Sequence, residues 1–413
     1  MPTATTDVTA HRPDAGRTRT TQRAVAFGLA AAIMTALLAA SSVPTPIYPL
    51  YQEQWGLTAL TVTVVFSAYS LTLLAALLTV GRLSDYMGRR PVLVVALVSE
   101  AAAMLLLAAS DGAGLLIAAR ILQGAATGAA TSAAGAALLD LEDPRRPGRA
   151  ALTNSIAPVS GMAVGVLVST VLVRFAPAPT VTVYLLLAGL FAAAAIAVAF
   201  TPETADPRAG VLRSLIPRIS VPLSARRALL AAGTGVVATW ALGGYYSSLG
   251  PALVRLVGPA VPRAFAGMVF FIVTAAAALT VWTLRRTAPL DAAIGGSLMV
   301  IPSVVLSLLA LHGFGLICVY LGAALAGIAF GAVSQGALRM MLASLEERER
   351  AATLAAYYVL SYVSMSLPVI AAGAAIRHYG LSTTSQTYAV GTAVLGMAAV
   401  AVLTVSRRAA IFR

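Results

Sequence analysis

The stretch GRLSDYMGRRP, Gly81 to Pro91, places three arginines and one aspartate between two long apolar runs. Such a concentration of charge is unusual in a chain with 59% hydrophobic residues, 10% charged residues and a mean hydropathy of +0.88. Soluble proteins are about half apolar and a quarter charged. The composition therefore indicates an integral membrane protein.

The apolar runs are long enough to cross a bilayer as helices, for which about 18 to 25 residues are needed. Six runs come first: 24–48, 59–80, 91–110, 114–139, 151–173 and 181–200. Six more follow: 228–249, 264–284, 290–310, 315–338, 351–376 and 387–405. We predict an all-α membrane protein with twelve transmembrane helices. The first run also resembles a secretory signal, but eleven further runs favour an uncleaved helix.

The arginines are distributed asymmetrically between alternate loops. Every one of the 28 basic residues is Arg, and 23 of them lie in the two tails and in alternate loops, against four in the other loops. Basic residues accumulate on the cytoplasmic side of short loops. We therefore predict that both termini are cytoplasmic and that the protein lies in the cytoplasmic membrane. Since the net charge of +13 forms no single face, it does not indicate a nucleic-acid partner.

A segment rich in Pro and Arg, 201–227, divides the chain into two parts of six runs. We predict a cytoplasmic tail (1–23), an N-terminal six-helix bundle (24–200), a cytoplasmic linker (201–227), a C-terminal six-helix bundle (228–405) and a second cytoplasmic tail (406–413). The segments LEDPRRPGRAAL and LEERERAATL precede the fifth and eleventh runs, which suggests an internal repeat. Such repeats form pseudo-symmetric bundles with a binding site between them. The alternative is chance similarity among Ala-rich helices.

The opening stretch resembles the motif between the second and third helices of the major facilitator superfamily. The matching residues are Gly81, Asp85, Gly88, Arg89 and Arg90. Tyr86 stands where that motif has a basic residue. The resemblance, which covers roughly 24–405, implies a transporter that works by alternating access. It also implies that the first, fourth, seventh and tenth helices line a central cavity.

Two weaker matches support this resemblance. In ARILQGAATG, Arg120, Gln123 and Gly124 resemble the fourth-helix motif of the family. In APVSGMAVG, a fifth-helix motif found among exporters is matched by Pro158, Gly161 and Gly165. Ala157 stands where that motif has glycine, so the match is degraded. The resemblance therefore favours export, as in drug/proton antiporters.

The charged groups of the opening stretch are candidates for a conformational gate. Asp85 can form charge-assisted hydrogen bonds with Arg89 and Arg90 between the helix ends, and Gly81 and Gly88 permit a tight turn. Topology alone also explains the arginines. Topology does not explain Asp85, Gly81 and Gly88, and these three residues favour the gate.

Glu100 lies in the middle of the third run, where a charged side chain costs at least about 2.5 to 3.5 kcal/mol. Burial disfavours the ionised form of a carboxyl group, as a proton carrier requires. The alternative is a structural ion pair with Arg120, which differs from Glu100 in depth by about 6 Å. Both interpretations stay open at this point.

Polar and aromatic residues on the cavity helices and their neighbours are candidates for substrate contacts. They are Tyr69, Gln123, Asn154, Trp240, Tyr245, Gln335, Tyr357 and Tyr358. Apolar walls with a few polar groups suit a small amphipathic molecule. Each residue alone is also compatible with helix packing or with an interfacial position.

No catalytic or metal-binding pattern stands out in the sequence. The three histidines, His11, His312 and His378, are far apart, Cys318 is the sole cysteine, and the absence of Lys excludes a P-loop. We predict no enzymatic activity, cofactor or metal, and a protein that functions as a monomer. The predicted function is proton-coupled export of a small amphipathic compound through the lipid bilayer. An importer or facilitator, and a non-transporting sensor or accessory subunit, are the alternatives.

Overall fold

The computed structural model describes residues 14–205, 207–217, 221–343, 345 and 347–411. Parts of four predicted segments lie outside the described residues. These parts are 1–13 of the N-terminal tail, 206 and 218–220 of the linker, 344 and 346 of the C-terminal bundle, and 412–413 of the C-terminal tail.

Long helices dominate the described part of the chain. The six before the linker are α1 (Asp14–Ser42), α2 (Ala59–Thr79), α3 (Arg89–Ala108), α4 (Ala113–Asp140), α5 (Arg149–Phe175) and α6 (Pro179–Ala199). Four follow it: α7 (Leu223–Ser248), α8 (Met268–Thr283), α9 (Pro289–Leu309) and α10 (Leu316–Leu342). We call α1–α6 the N-terminal bundle.

The last helical stretch, Glu347–Ile411, is 65 residues long and consists of two helices. Gly380 interrupts it with φ +78° and ψ 165°, a conformation that residues with a side chain rarely adopt. The helices on either side are α11 (347–379) and α12 (381–411). By length and composition, eleven helical stretches among the described residues can cross a membrane, and the eleventh, Ala352–Arg408, contains this break. The fold therefore has the twelve predicted spans, and we call α7–α12 the C-terminal bundle.

The predicted first span, 24–48, ends earlier than expected. Helix α1 stops at Ser42, a turn follows, and a short helix occupies Tyr48–Trp55. Pro44 and Pro46 lie in this turn. Because proline has no backbone N–H to donate, neither residue can continue α1. The short helix packs inward, since Tyr48 and Tyr51 are buried.

Helices α2 with α11, and α5 with α8, form the main contacts between the two bundles. The Ser67 hydroxyl of α2 donates a hydrogen bond to the carbonyl of Ser366, at 3.5 Å. Further along α2, Thr63 lies against Gly373 of α11. Phe66 and Val166 belong to one buried apolar cluster with side chains of the C-terminal bundle.

The molecule has two ends, which we name by their loops. The basic end carries loops 80–88 and 141–148 and the linker, and the opposite end carries loops 109–112, 176–178 and 258–262. Contacts between the bundles extend to the opposite end, where Arg255 forms an ion pair with Glu53 at 3.0 Å. Gly267 packs against Pro46 at the same end.

Candidate functional site

At the basic end, Arg89 connects the start of α3 to its neighbours. Its Nη1 forms an ion pair with the Asp85 carboxylate and donates to the Ser84 hydroxyl at 2.8 Å. Its Nε donates to Oδ2 of Asp140, the last residue of α4, at 3.1 Å. The two predicted residues Asp85 and Arg89 are therefore together, and Asp140 is an additional partner. All of these residues belong to the N-terminal bundle.

Glu203, from the start of the linker, caps the N-terminus of α3. Its two carboxylate oxygens accept hydrogen bonds from the backbone N–H groups of Arg89 and Arg90, at 2.7 and 3.0 Å. Burial raises the pKa of the Glu203 carboxyl. Hydrogen bonds from these two N–H groups and from those of Thr204 and Ala205 lower the pKa by more than burial raises it, so it lies below its ordinary value. The cap satisfies two donors that an isolated helix leaves free.

Both glycines of the opening stretch lie in crowded positions. Gly88 has φ +97°, and a methyl group there would lie 2.9 Å from Cδ of Glu203. The Gly81 carbonyl accepts a hydrogen bond of 2.6 Å from Ser132 of α4, which lies 3.3 Å from where a methyl group would project. The positive φ thus favours glycine at position 88, and a methyl group on Gly81 would crowd both the Leu77 carbonyl of α2 and Ser132 of α4.

Tyr86, which departs from the family motif, contacts the linker. Its carbonyl accepts a hydrogen bond of 2.9 Å from the backbone N–H of Arg208. Gly210 lies beside the same tyrosine ring. The Tyr86 hydroxyl accepts a long hydrogen bond, 3.4 Å, from Arg82. The guanidinium of Arg90, the last of the predicted gate residues, donates to the carbonyl of Thr201 at 3.4 Å.

Glu100 lies fully buried in the centre of α3 and is held by neutral side chains of α4. Gln123 Nε2 donates to Oε1 of Glu100 at 3.3 Å. The Thr127 hydroxyl lies 3.3 and 3.2 Å from the two carboxylate oxygens. Among the described residues, Glu100 forms no direct ion pair with Arg120. Gln123 stands between them, because its Oε1 accepts a hydrogen bond of 2.5 Å from Nη1 of Arg120.

Arg120 is itself fully buried. Its Nη1 also donates to the Ser41 carbonyl of α1, at 3.3 Å, and its Cζ lies 4.2 Å from the centre of the Tyr69 ring. The other guanidinium nitrogens, Nε and Nη2, have no hydrogen-bond partner among the described residues, and neither does the Tyr69 hydroxyl. The Tyr48 hydroxyl is a further neighbour of the guanidinium.

An aromatic cluster occupies the C-terminal bundle. The Trp240 ring lies 5.1 Å from Phe330 and 5.2 Å from Tyr362. Tyr358 lies 6.2 Å from Tyr362 and 5.6 Å from Tyr357. The cluster joins α7, α10 and α11, and it includes three of the predicted cavity residues. Tyr362 is close enough to Tyr69 of the N-terminal bundle for the two phenol groups to interact electrostatically.

The remaining predicted cavity residues have different surroundings. The Tyr245 hydroxyl donates to Ser385 of α12 and its ring lies 5.0 Å from Tyr388, so it belongs to a second aromatic group. Asn154 Nδ2 donates to the carbonyl of Gly135 of α4 at 3.2 Å. The side-chain oxygens of Asn154 and Gln335 have no hydrogen-bond partner in the described part of the chain.

The predicted motif of α5 forms the contact with α1. A methyl group on Gly161 would lie 3.0 Å from the Thr35 carbonyl carbon, and one on Gly165 would lie 2.6 Å from that of Ala39. Pro158 lies inside the same helix, one turn before this contact. The two glycines therefore permit close approach of two backbones, as small residues do in membrane helices.

Five contributing residues were absent from the sequence predictions. Four of them had a usable signal. Thr127 lies seven residues after Arg120, on the same face of α4, and Tyr362 lies four residues after Tyr358. Asp140 ends an apolar run, and Phe330 is an aromatic residue on a predicted cavity helix. Glu203 had none, because its partners lie more than a hundred residues away in the sequence.

Comparison with known families now adds to this geometry. The family model described as Major Facilitator Superfamily matches residues 29–369. The chain belongs to the major facilitator superfamily. This family comprises secondary transporters, so the protein is a multi-pass membrane protein of a transporter family and its fold is that of the superfamily. No curated protein gave a match in a sequence search.

Several solved superfamily structures have the same fold. A bacterial homologue of the human lysosomal transporter Spinster, inward-facing and unoccupied, has a TM-score of 0.71 at 14% identity and covers 94% of this chain and 97% of its own. The occupied form has a TM-score of 0.70 at 12% identity, with the same coverage. The nucleoside transporter NupG has a TM-score of 0.69 at 12% identity and covers 91% of this chain and 98% of its own.

Proposed function

We propose that this superfamily member exports a small amphipathic organic compound from the cytoplasm in exchange for protons. The single observation that carries the proposal is the burial of Glu100 at the centre of α3, where its hydrogen-bond partners among the described residues are the neutral side chains of Gln123 and Thr127. An ionised carboxyl in such a place is costly unless it is paired. A group of this kind can therefore alternate between protonated and ionised forms as its surroundings change.

The link from Glu100 through Gln123 to Arg120 supports coupling to the rest of the transporter. Arg120 touches α1 through Ser41 and α2 through Tyr69. A change of charge at Glu100 would alter the hydrogen bond between Gln123 and the guanidinium, and with it the packing of α4 against α1 and α2. Tyr69 in turn is close enough to Tyr362 of the C-terminal bundle for their phenol groups to interact electrostatically. Protonation and the relative position of the bundles are thereby connected in one contiguous network.

The aromatic cluster around Trp240 supports an amphipathic substrate. Its rings present large apolar surfaces, and on the same helix as Phe330 the Gln335 Oε1 has no hydrogen-bond partner among the described residues. Apolar walls with few polar groups are typical of small-molecule sites. Export is favoured by the α5 contact, in which Gly161 and Gly165 form the close approach to α1.

The contacts between the bundles support alternating access. They include the Arg255–Glu53 ion pair at the opposite end, which we propose faces away from the cytoplasm, with both termini at the basic, cytoplasmic end. Two of the similar solved structures are described as inward-facing. We propose that this conformation is likewise closed at the opposite end, and that the network of Asp85, Arg89 and Asp140 moves with the N-terminal bundle during the switch.

A transport assay on purified protein in liposomes tests the proposal. Candidate compounds are chosen from a resistance and metabolite screen of cells with and without the protein, and accumulation is measured with and without a pH gradient. We expect accumulation that requires the gradient, and we expect Glu100→Gln to abolish it. The control is Asp111→Asn, which changes an exposed carboxyl in the loop between α3 and α4.

Each other outcome has a definite meaning. Equilibration without accumulation indicates a facilitator, and gradient-independent uptake in the opposite direction indicates an importer. Gradient-driven accumulation by Glu100→Gln protein contradicts the role of Glu100. Absence of movement for every compound that the screen yields indicates a sensor or an accessory subunit.

A further inference from the structure

Arg120 has one edge of its guanidinium bound by the protein and one edge free. Nη1 is occupied by the Ser41 carbonyl and by Gln123 Oε1, and the Tyr69 ring covers one face. Nε and Nη2 have no hydrogen-bond partner among the described residues, although the side chain is 0% exposed. These two nitrogens form the side-on fork with which arginine binds a carboxylate or phosphate through two parallel hydrogen bonds.

A buried guanidinium with two unused donors lowers the stability of the folded protein, so a purely structural role does not account for it. Buried charged groups are ordinarily paired, and leaving one without its partners is strongly destabilising. No carboxylate contacts Arg120 directly among the described residues, since Gln123 separates it from Glu100. The stacking on Tyr69 and the two bonds to Nη1 fix the plane of the group. The free edge is therefore held in one orientation, ready for an anion.

Two phenol hydroxyls lie near the guanidinium. The Tyr69 hydroxyl lacks a hydrogen-bond partner among the described residues, and the Tyr48 hydroxyl lies next to the guanidinium. Hydroxyl hydrogens can rotate toward an acceptor. Donors of this kind, together with a positive charge, complement a carboxylate and not an ammonium group. They are poorly suited to a neutral amine, which would leave the fork unsatisfied.

The location also suits a ligand with an apolar body. Tyr69 lies near the boundary between the bundles, close enough to Tyr362 for the two phenol groups to interact electrostatically, and Tyr362 belongs to the aromatic cluster with Trp240. A molecule whose acidic group binds Arg120 can extend an aromatic body along this path. Contacts between the bundles, such as Ser67 with Ser366, enclose the region, and separation of the bundles would open it.

We propose that Arg120 is the anion-binding residue of the substrate site and that the transported compounds are organic carboxylates with an aromatic or other apolar body. This inference rests on the proposed transport function and narrows its substrate class. The bound and free edges of the guanidinium have separate tasks. Nη1 connects to Glu100 through Gln123, while Nε and Nη2 bind the substrate. Substrate binding at Arg120 therefore changes the surroundings of the proton-carrying group.

Binding of three matched probes to the purified full-length protein tests the proposal. The probes are 2-naphthoate, 2-naphthamide and protonated 2-naphthylmethylamine, which share one ring system and differ in charge. Isothermal titration calorimetry measures their affinities. Because a bidentate charge-assisted pair is lost in the other two probes, we expect 2-naphthoate to bind about tenfold more tightly or better. Equal binding of the three probes, preference for the amine, or no saturable binding of 2-naphthoate overturns the proposal.

Two variants assign the preference to Arg120. Arg120→Lys keeps the charge but removes the fork, so the advantage of 2-naphthoate over 2-naphthamide should fall about tenfold. The matched control is Arg285→Lys, which changes an arginine that is also stacked on an aromatic ring, that of Trp282, at 4.6 Å. An unchanged preference in folded Arg120→Lys protein rejects the assignment. If that variant fails to fold, Tyr69→Phe, which removes one donor and keeps the ring, must weaken 2-naphthoate selectively.

Uptake of the same probes into liposomes separates this inference from the proposed function. Gradient-driven accumulation of the amine or the amide, but not of 2-naphthoate, supports coupled transport and rejects the carboxylate class. Selective binding of 2-naphthoate without gradient-driven movement supports the Arg120 site and rejects proton-coupled transport.

Discussion

The contact between α1 and α5 allows a quantitative prediction for Gly165→Ala. The added methyl carbon would lie 2.6 Å from the carbonyl carbon of Ala39, and it would also meet the Ser42 hydroxyl. Non-bonded carbon atoms pack at about 3.5 to 4.0 Å. The two helices must therefore separate locally by about 1 Å, since the obstacle includes backbone and cannot rotate away.

This separation breaks more than van der Waals contacts. The Ser42 hydroxyl donates to the Met162 carbonyl at 2.8 Å, and the Ser169 hydroxyl donates to the Val43 carbonyl at 2.8 Å. A shift of about 1 Å takes both beyond hydrogen-bonding distance. Two lost bonds at about 0.5 to 1.5 kcal/mol each, with about 1 to 3 kcal/mol for overpacking, give roughly 2 to 6 kcal/mol of destabilisation.

Thermal unfolding of the purified protein in detergent, followed by tryptophan fluorescence, measures the effect. At roughly 2 to 4 °C per kcal/mol for a unit of this size, the Tm should fall by about 4 to 24 °C. The control is Gly189→Ala in α6, where an added methyl group meets nothing within 4 Å. Its Tm should be unchanged or slightly raised, because Ala favours a helix over Gly. If both variants unfold at the same temperature, the α1–α5 contact has room for a methyl group and the reasoning is wrong.

Two further predictions concern the basic end. Asp85→Asn removes one charged partner of Arg89 and leaves Asp140, so the protein should insert and fold normally. Turnover in liposomes should fall about threefold to tenfold, because the activation free energy rises by about 1 kcal/mol after allowance for the exposure of the pair. Normal turnover would contradict the role of Asp85 in the gate. Glu203 has a lowered pKa in the folded protein, so its stabilising effect is present above its ordinary pKa of 4.5 and is lost as the pH falls through the lower folded value. The Tm of Glu203→Gln should therefore lie below that of the unchanged protein at pH 7, with the gap closing below about pH 4, and a gap that is independent of pH would show that the charge of the cap is unimportant.

The number of helices could be predicted from the sequence because each apolar run has a length that only a membrane-spanning helix explains. Their ends were harder to place. The turn after Ser42 follows from two prolines inside an apolar run, and the break between α11 and α12 rests on the single residue Gly380. The polar segment 377–386 separated the last two predicted runs, but hydropathy could not show that the break occupies one residue, and no loss of hydropathy marks the turn after Ser42.

The candidate site was predicted in part for a similar physical reason. Glu100 and Arg120 stood out because charge is rare in a membrane span, and both are buried in one network. Their partnership differs from a direct pair, because Gln123 has a donor and an acceptor that fit between a carboxylate and a guanidinium. Sequence spacing placed Gln123 on the right helix but could not show which way its amide faces. That choice depends on packing between helices distant in sequence.

The docking of the linker on the N-terminal bundle determines where the chain can be divided. Contacts from Glu203 to Gly210 hold the first part, and a short helix, Val211–Ser214, packs against the segment Ser84–Met87. The segment 215–222, which has a fully extended reach of about 26 to 29 Å, then connects this docked part to α7. Two fragments produced separately and divided within 215–222 should reassemble into a working transporter, whereas division at 201 gives the cap of α3 to the wrong fragment.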